Sequence, residues 1–126
     1  MEFLVSKEFK FDAAHNLTRY HGKCEKLHGH TYKLRVTLKG LRNEDGMVYD
    51  FVELKKIVND VVISKLDHSY INDFIEQPSA ENIAVWIWDK LFKILNGKTY
   101  SLYEITLWET ETSFVTYRGT EKDSQN

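Results

Sequence analysis

The sequence predicts an α+β domain in which an antiparallel sheet of four strands carries two helices on one face. Two stretches in which apolar and polar residues alternate come first, two stretches with helical periodicity follow, and two more alternating stretches come last. Because the helices are consecutive in this ββααββ order, we expect them to form one layer against the sheet. The chain has 126 residues, the length of one domain, which we assign to residues 1–118.

The first two strands are predicted from alternation with a period of two. In the first stretch the odd positions are mostly apolar and the positions between them are mostly polar. The apolar residues are Phe3, Val5, Phe9, Phe11 and Ala13. His15 continues the buried positions of this strand. The second stretch alternates from His30 to Leu38 and ends at Gly40. We expect the two strands to lie side by side, joined by an insertion over residues 16–27.

Helical periodicity marks the middle of the chain. Apolar residues recur at intervals of three and four from Phe51 to Val62, and Asp50 precedes them as the expected N-cap. Pro78 and Ser79 precede the second helix, with Ser79 as its N-cap, and its broad apolar face continues to Asn96-Gly97. A helix with so wide an apolar face is expected to be buried.

Two further strands are predicted after the helices. One runs from Tyr103 through Ile105 and Leu107 to Glu109, and the other runs from Phe114 to Arg118. The polar tail over residues 119–126 is expected to fray. Helices cover only one face of such a sheet and its outer strands have unpaired edges. We therefore expect copies of the chain to associate into a ring or barrel.

Composition excludes several classes of protein. Lysine and arginine number 17 and aspartate and glutamate 19, so the formal net charge is −2 without a basic stripe, and we expect no nucleic-acid partner. The longest apolar run, from Ile83 to Trp88, is far shorter than the roughly 20 residues that span a bilayer, so no membrane segment is predicted. A single cysteine and an N-terminus without a signal-like segment favour a cytoplasmic protein.

Three histidines are candidate metal ligands. His28-Gly29-His30 sets two imidazoles on one face of a strand, about 6.6 Å apart along it, and Gly29 leaves room for a bulge that would bring the rings together. Such a triplet alone more often belongs to ordinary strand histidines. His15, however, ends the buried positions of the neighbouring strand where those of the second begin, so we expect all three to meet. Three neutral nitrogens with an open fourth position are typical of catalytic zinc, although nickel, copper and iron also accept imidazole.

Cys24 allows two interpretations. As a fourth ligand it would close a His3Cys site with only a structural role. Alternatively, it lies near the ion without binding it. The cation and the neighbouring lysines would then lower the pKa of the thiol below its reference of about 8.5, giving a base or nucleophile. The polar run over residues 19–26 favours the second interpretation, and both stay open at this point.

Two acidic positions are further candidates. Asp67 stands beside His68 after the first helix, as a carboxylate that orients an imidazole would, although a solvated helix end gives the same dipeptide. Glu109 lies at a buried position of its strand, where a carboxylate needs a cation or hydrogen-bond donors. A ligand with a guanidine-like edge would supply such donors, and an ion pair with a lysine or arginine is the alternative.

Six sequence blocks follow one another along nearly the whole chain. They are Phe11-Asp12-Ala13-Ala14-His15, Cys24-x-x-x-His28-Gly29-His30-x-Tyr32, Gly46-Met47-Val48-Tyr49-Asp50-Phe51, Leu66-Asp67-His68, Pro78-Ser79-Ala80-Glu81-Asn82 and Trp108-Glu109-Thr110. In this order they resemble the family of 6-pyruvoyl-tetrahydropterin and 6-carboxytetrahydropterin synthases. The resemblance implies the tunnelling fold (T-fold), in which trimers close a barrel and two trimers stack into a homo-hexamer with active sites between subunits.

The resemblance also implies roles for individual residues. His15, His28 and His30 would bind Zn²⁺, and Cys24 would be the thiol that abstracts a proton. Asp67 and His68 would form a relay that carries the proton to and from this thiol. Glu109 would anchor the pterin ring through its 2-amino and N3 hydrogens and would also join the catalytic proton network. Other residues near the pterin pocket would be Ser79, Glu81 and Thr110.

The implied substrate is 7,8-dihydroneopterin triphosphate, and the spacing after Cys24 bears on the product. Three residues between Cys24 and His28 resemble the bacterial and archaeal 6-carboxytetrahydropterin synthases of the queuosine pathway, which release acetaldehyde and triphosphate. The 6-pyruvoyl-tetrahydropterin synthases of animals have a longer gap and are the alternative. Glu25 also matches a subtype in which glutamate replaces the cysteine and dihydroneopterin is cleaved to 6-hydroxymethyl-dihydropterin, so a dual activity is a further hypothesis.

Two interpretations lie outside this activity. One is a non-enzymatic zinc-binding assembly module in which Cys24 completes the coordination. The other is a different tunnelling-fold enzyme, such as a cyclohydrolase or a purine-ring oxidase, that shares the acidic ring anchor. Candidates for contacts to the triphosphate are Arg19, Lys23 and Lys26, and none of them stands out.

Overall fold

The computed structural model describes residues 1–22 and 25–120. Its strands are β1 (Phe3–His15), β2 (His28–Gly40), β3 (Ser69–Tyr70), β4 (Tyr100–Trp108) and β5 (Phe114–Tyr117). Its helices are α1 (Phe51–Val58), α2 (Ser64–Leu66) and α3 (Ala80–Phe92), with a π-helical turn (Asn59–Ile63) between α1 and α2 and a 3-10 turn (Ile71–Asp73) after β3. The α+β class and the order of the predicted elements are confirmed.

The sheet contains one strand more than the four predicted. Its order is β3-β1-β2-β4-β5, and the four predicted strands pair antiparallel as expected. The additional strand, β3, is parallel to β1 and pairs with it at Ala13 and Ala14. A strand of two residues has no periodicity in the sequence, so alternation could not predict it.

The first predicted helix runs without a break over residues 51–66, although it is not a uniform α-helix. Asp50 caps it, because its carboxylate accepts a hydrogen bond from an amide of the first turn at 2.9 Å. The π-helical turn widens the middle of the segment. Val58, Val62 and Leu66 are fully buried, one in each part of the segment. Burial of Leu66 brings the chain against β1 just before Asp67.

The second predicted helix begins where expected and ends earlier. The Ser79 hydroxyl oxygen accepts a hydrogen bond from the Asn82 amide at 3.1 Å, which confirms the N-cap. The helix ends at Phe92 instead of near residue 96. Turns continue the apolar pattern past that end, since the amides of residues 94 and 95 both bond the Leu91 carbonyl and Leu95 is fully buried.

A bulge in β4 shifts the alternation of that strand. The pairing with β2 skips one residue of β4, Tyr103. Leu102 and Ile105 consequently both lie in the core, whereas Tyr103 is half-exposed. The extra residue therefore interrupts the period of two within β4.

One hydrophobic core lies between the sheet and the helices. The largest fully buried side chains are Trp88, Tyr32, Phe11, Leu34, Leu38, Leu54, Leu66, Ile71, Ile83, Ile87, Leu91 and Leu95. The face of the sheet away from the helices is polar and includes ion pairs between Glu8 and both Lys33 and Arg35. Over residues 1–22 and 25–120, no helix has the length and apolar character needed to cross a membrane.

Candidate metal centre and active site

Three histidines meet where β1 ends and β2 begins. The register sets His15 opposite His28 and places His30 opposite Ala13. The ring centroids lie 4.7 Å apart for His15 and His28, 5.2 Å for His15 and His30, and 4.7 Å for His28 and His30. One nitrogen of each ring lies within 4.8 Å of a nitrogen of the other two. Regular pairing produces this arrangement, since the register is unbroken at Gly29 and the bulge expected there is not formed.

Backbone carbonyls determine which nitrogen of two rings faces the centre. The Nδ1 atom of His15 donates a hydrogen bond to the carbonyl of Pro78 at 2.7 Å. In the same way, Nδ1 of His28 donates to the carbonyl of Lys26 at 2.9 Å. With Nδ1 protonated and bonded, Nε2 carries the free lone pair, as in histidines that bind metals.

The donor atoms fit a metal ion. The Nε2 atoms of His15 and His30 are buried and have no hydrogen-bond partner in the part of the chain that the structure describes. Buried polar atoms are almost always paired, so two such atoms in one cluster indicate a missing partner. Three neutral imidazole nitrogens are the donor set of catalytic zinc, and the residues present therefore fit Zn²⁺.

Burial favours the neutral form of the third histidine. Desolvation lowers the pKa of His30; the Glu109 carboxylate opposes this shift, and repulsion from His15 and His28 adds to it. A histidine must lose its proton to bind a metal, and a lowered pKa makes that loss easier. His30 is thus ready to act as a ligand at neutral pH.

Glu109 directs its carboxylate at the histidines. It follows β4 immediately, and its two oxygens lie 3.8 Å from Nε2 of His15 and 3.8 Å from Nε2 of His30. Its side chain is 30% exposed, so the carboxylate borders the centre and also reaches solvent. Among the described residues no lysine or arginine forms an ion pair with Glu109, and two imidazoles lie beside its carboxylate instead. The accessible edge is free to accept hydrogen bonds from a ligand.

Tyr32 forms the floor of the centre. Its ring stacks on Phe11 with centroids 4.9 Å apart and meets His15 and His30 edge-on at 6.1 Å and 5.6 Å. Burial raises the pKa of Tyr32, and the nearby Glu109 carboxylate raises it further. The phenol is therefore neutral, and it supports the imidazoles from below as a rigid aromatic surface.

Asp67 and His68 form a separate cluster at the edge of the sheet. Asp67 accepts a hydrogen bond from the Asp12 amide at 3.0 Å, and its other oxygen lies 3.1 Å from Nδ1 of His68. The Asp12 amide, helped by His68, holds the pKa of Asp67 below its ordinary value. His68 has a φ of +60° and a side chain that is 80% exposed. The structure groups this pair with Asp12 and not with the three histidines.

Cys24 and Lys23 lie outside the described residues. Glu25, next to them, fastens the loop: its amide donates to the Leu17 carbonyl at 2.8 Å, and its carboxylate accepts from the Leu17 amide at 3.0 Å. The same carboxylate oxygen lies 3.8 Å from Nδ1 of His28. Glu25 therefore contacts the side of His28 that faces away from the free nitrogen.

The residues predicted near a pterin pocket occupy different positions. Ser79 caps α3, and Glu81 is exposed in the first turn of that helix. Thr110 lies in the turn between β4 and β5, where its hydroxyl accepts a hydrogen bond from the Ser113 amide at 3.1 Å. Thr110 also lines a cleft of ≈ 390 Å³ on the polar face of the sheet, which includes Trp108. Two of these residues adjoin a residue that contacts the histidines: Ser79 follows Pro78, and Thr110 follows Glu109.

Sequence reasoning missed the groups that orient the histidines. Pro78 and Lys26 act through backbone carbonyls, which no side-chain pattern reveals. Gln77 and Asn72 bind the loop after His15 through side-chain amides, at separations of more than fifty residues. Contacts at such separations have no periodicity, so no signal in a single sequence could have identified them.

Comparison with known proteins agrees with this geometry. A sequence profile described as 6-pyruvoyl tetrahydropterin synthase matches residues 4–120. The chain belongs to the 6-pyruvoyl tetrahydropterin synthase family. The resemblance found in the six sequence blocks is thereby confirmed, and the activity class is that of the pterin synthases.

Relatives within the 6-pyruvoyl tetrahydropterin synthase family carry several activity names. A Haemophilus influenzae protein named 6-carboxy-5,6,7,8-tetrahydropterin synthase is 37% identical over 92% of this chain and 99% of its own length. A Pyrococcus furiosus protein named dihydroneopterin monophosphate aldolase is 42% identical over 79% of this chain and 82% of its own. The solved structure of the Caenorhabditis elegans 6-pyruvoyl tetrahydropterin synthase has a TM-score of 0.83 and 28% identity, covering 95% of this chain and 97% of that one. The predicted T-fold is confirmed for the single chain.

Proposed function

We propose that the chain is a zinc-dependent 6-carboxy-5,6,7,8-tetrahydropterin synthase. It converts 7,8-dihydroneopterin triphosphate into 6-carboxytetrahydropterin and releases acetaldehyde and triphosphate. The proposal depends above all on the buried Nε2 atoms of His15 and His30, which lack partners among the described residues and lie 3.8 Å from the Glu109 carboxylate. The spacing between Cys24 and His28 and the Haemophilus relative support the carboxy product.

Zinc held by His15, His28 and His30 would polarise the hydroxyl groups of the substrate side chain and make the adjacent C–H and O–H bonds more acidic. The protein supplies orientation. The accessible edge of Glu109 accepts hydrogen bonds from the 2-amino and N3 hydrogens of the pterin ring. The carbonyl of Pro78 keeps His15 in the tautomer whose Nε2 faces the centre.

Proton transfer is assigned to Cys24, with Asp67 and His68 as its relay. The lowered pKa of Asp67 keeps its carboxylate ionised, so that it accepts a hydrogen bond from Nδ1 of His68 and leaves Nε2 to exchange a proton. Because this pair is exposed and forms a cluster apart from the three histidines, we assign it to the active site of an adjoining subunit. The homo-hexamer implied by the T-fold, which we place in the cytoplasm, provides such a neighbour.

A second candidate activity is the cleavage of dihydroneopterin to 6-hydroxymethyl-dihydropterin. The Glu25 carboxylate lies 3.8 Å from Nδ1 of His28, beside the candidate centre, and the Pyrococcus relative is named as an aldolase. Against this activity, the Glu25 carboxylate already accepts a hydrogen bond from the Leu17 amide, and it contacts the Nδ1 side of the His28 ring, away from the free nitrogen. We therefore rank it below the carboxy reaction.

Product analysis tests the proposal. The pure zinc-loaded protein is incubated with 7,8-dihydroneopterin triphosphate, and the pterin product is identified by mass. We expect 6-carboxytetrahydropterin together with acetaldehyde and triphosphate. Formation of 6-pyruvoyl-tetrahydropterin, or no consumption of substrate, would contradict the proposal. A parallel incubation with dihydroneopterin tests the second candidate, because only that activity yields 6-hydroxymethyl-dihydropterin.

The Cys24→Ala variant separates the enzyme from a structural zinc module. We expect it to keep stoichiometric zinc, measured by elemental analysis, and to lose turnover. Loss of zinc and of folded structure together would make Cys24 a structural ligand. His15→Ala is the matched control, and it should lose zinc because it removes one of the three nitrogen donors.

A further inference from the structure

The loop between β1 and β2 is held by two side-chain amides from the segment that precedes α3. This loop begins directly after His15 and contains Cys24. We propose that Gln77 and Asn72 are positioning residues. By fixing residues 16, 18 and 19 of the loop, they would limit how far the Cys24 thiol can move relative to the three histidines. The inference rests on the role of Cys24 in the proposed function.

Gln77 makes four hydrogen bonds to two consecutive loop residues. Its Oε1 atom accepts from the Thr18 amide at 2.8 Å, the Thr18 hydroxyl at 2.8 Å and the Arg19 amide at 3.1 Å. Its Nε2 atom donates to the Arg19 carbonyl at 2.9 Å. The amide side chain of Gln77 thus bonds backbone groups of Thr18 and Arg19, as a neighbouring strand would in a sheet.

Asn72 binds the loop earlier, in the same manner. Its Oδ1 atom accepts from the Asn16 amide at 3.0 Å, and its Nδ2 atom donates to the Asn16 carbonyl at 2.8 Å. The Tyr70 hydroxyl adds a hydrogen bond to the Asn16 side chain at 2.6 Å. Both peptide groups of Asn16 are consequently fixed immediately after the metal-site residue His15.

The binding segment is itself anchored to the metal centre and to α3. The residue after Gln77 is Pro78, whose carbonyl accepts the hydrogen bond from His15. The Gln77 carbonyl accepts a hydrogen bond from the Asn82 side chain at 2.7 Å, in the first turn of α3. Gln77 is therefore held in place relative to the histidines, and a shift of the loop would break its hydrogen bonds to Thr18 and Arg19.

These contacts position the loop without burying it. The hydrogen bonds of Gln77 are exposed to water, so each stabilises the fold only modestly. Their effect is to fix the orientation of the backbone at Thr18 and Arg19, because both donors and an acceptor of these residues are bonded. Catalysis depends steeply on such placement, since a displacement of about 1 Å can cost on the order of 100-fold in rate. Gln77 is therefore expected to matter more for turnover than for stability.

Kinetics of Gln77→Leu test the inference, since leucine removes all four hydrogen bonds. We expect kcat to fall at least about tenfold while KM changes less than about twofold and zinc content stays stoichiometric. The chain has one cysteine, so alkylation by iodoacetamide reports on Cys24 alone. Its rate in the zinc-loaded variant should fall by at least about threefold as the thiol leaves its activating surroundings.

Two further variants complete the test. Gln77→Glu keeps the three bonds that Oε1 accepts and loses the donor, so its kcat should lie between those of Gln77→Leu and the wild type; if Gln77→Leu fails to fold, this variant decides. Glu76→Leu, the same replacement at the exposed neighbouring residue, should behave as the wild type. The inference would be overturned if Gln77→Leu had the same kcat and the same alkylation rate as the wild type. It would also be overturned if the variant lost its zinc. A wild-type protein without turnover would instead contradict the proposed function, and alkylation would still report on the loop.

Discussion

The hydroxyl groups of Tyr32 and Tyr70 differ in burial and in hydrogen bonding. The Tyr32 hydroxyl is buried, its ring contacts His15 and His30, and it has no hydrogen-bond partner in residues 1–22 and 25–120. The Tyr70 hydroxyl donates to the Asn16 side chain at 2.6 Å on the surface. An unsatisfied buried hydroxyl destabilises the fold by its lost hydration, whereas a bonded one stabilises it. Removal of each hydroxyl should therefore have a different effect.

Tyr32→Phe is expected to leave the free energy of unfolding of the metal-free protein unchanged or to raise it by about 1 kcal/mol, since the lost group has no partner among the described residues. Tyr70→Phe is the matched variant and should lower it by about 0.5–1 kcal/mol. Urea denaturation of both variants measures the difference. A larger loss for Tyr32→Phe than for Tyr70→Phe would show that the buried hydroxyl is bonded in solution.

The N-terminus of α3 is linked to the three histidines of the candidate metal centre. Ser79 caps the helix, and the preceding carbonyl, that of Pro78, orients His15. The first helical segment, which contains the π-helical turn over Asn59–Ile63, ends in a similar way: Leu66 is buried and Asp67 follows it at the sheet edge. In both elements a candidate site residue or its orienting group lies next to the end of a helix.

Ser79→Ala should lower the free energy of unfolding by about 1 kcal/mol, because the amide of Asn82 loses the hydroxyl oxygen that it bonds at 3.1 Å. Ser79→Asp should retain most of that stability, since aspartate is also a good N-cap. Thermal or urea denaturation measures both. If the alanine variant matches the wild type in stability, the hydroxyl does not act as a cap in solution.

The complete molecule is expected to be larger than one chain. Asp67 and His68 form a cluster apart from the three histidines, and β3 and β5 are the outermost strands of the sheet. Unpaired strand edges favour association of copies. Both observations are accounted for if the proposed hexamer pairs these edges and brings each Asp67-His68 pair to a neighbouring site.

Light scattering should give a mass of about 89 kDa, six times the 14.9 kDa of the chain. Cys24→Ala and His68→Ala are each expected to be inactive alone. Equimolar mixed oligomers of the two should recover about a quarter of wild-type turnover, because about one site in four then receives Cys24 from one subunit and His68 from the other. A monomer with full turnover, or mixed oligomers without any recovery, would contradict the shared site.

Local patterns in the chain were sufficient to predict most of the fold. Alternation identified β1, β2, β4 and β5, and the caps at Asp50 and Ser79 were read from single polar residues before apolar periods. The meeting of His15, His28 and His30 followed from the same alternation. The strands and caps depend on neighbours within a few residues, and the meeting of the histidines needs only the pairing of two consecutive strands, so one sequence was enough to predict them.

Other features depend on contacts between distant parts of the chain, and only the folded molecule revealed them. The bulge at Tyr103 and the two-residue strand β3 leave no period in the sequence. The bond from His15 to the Pro78 carbonyl and the amide bonds of Gln77 join residues about sixty positions apart. Alternation therefore determined which side chains face the candidate metal centre. Packing of the helices onto the sheet decided how those side chains are oriented, because the orienting groups come from segments that meet only in three dimensions.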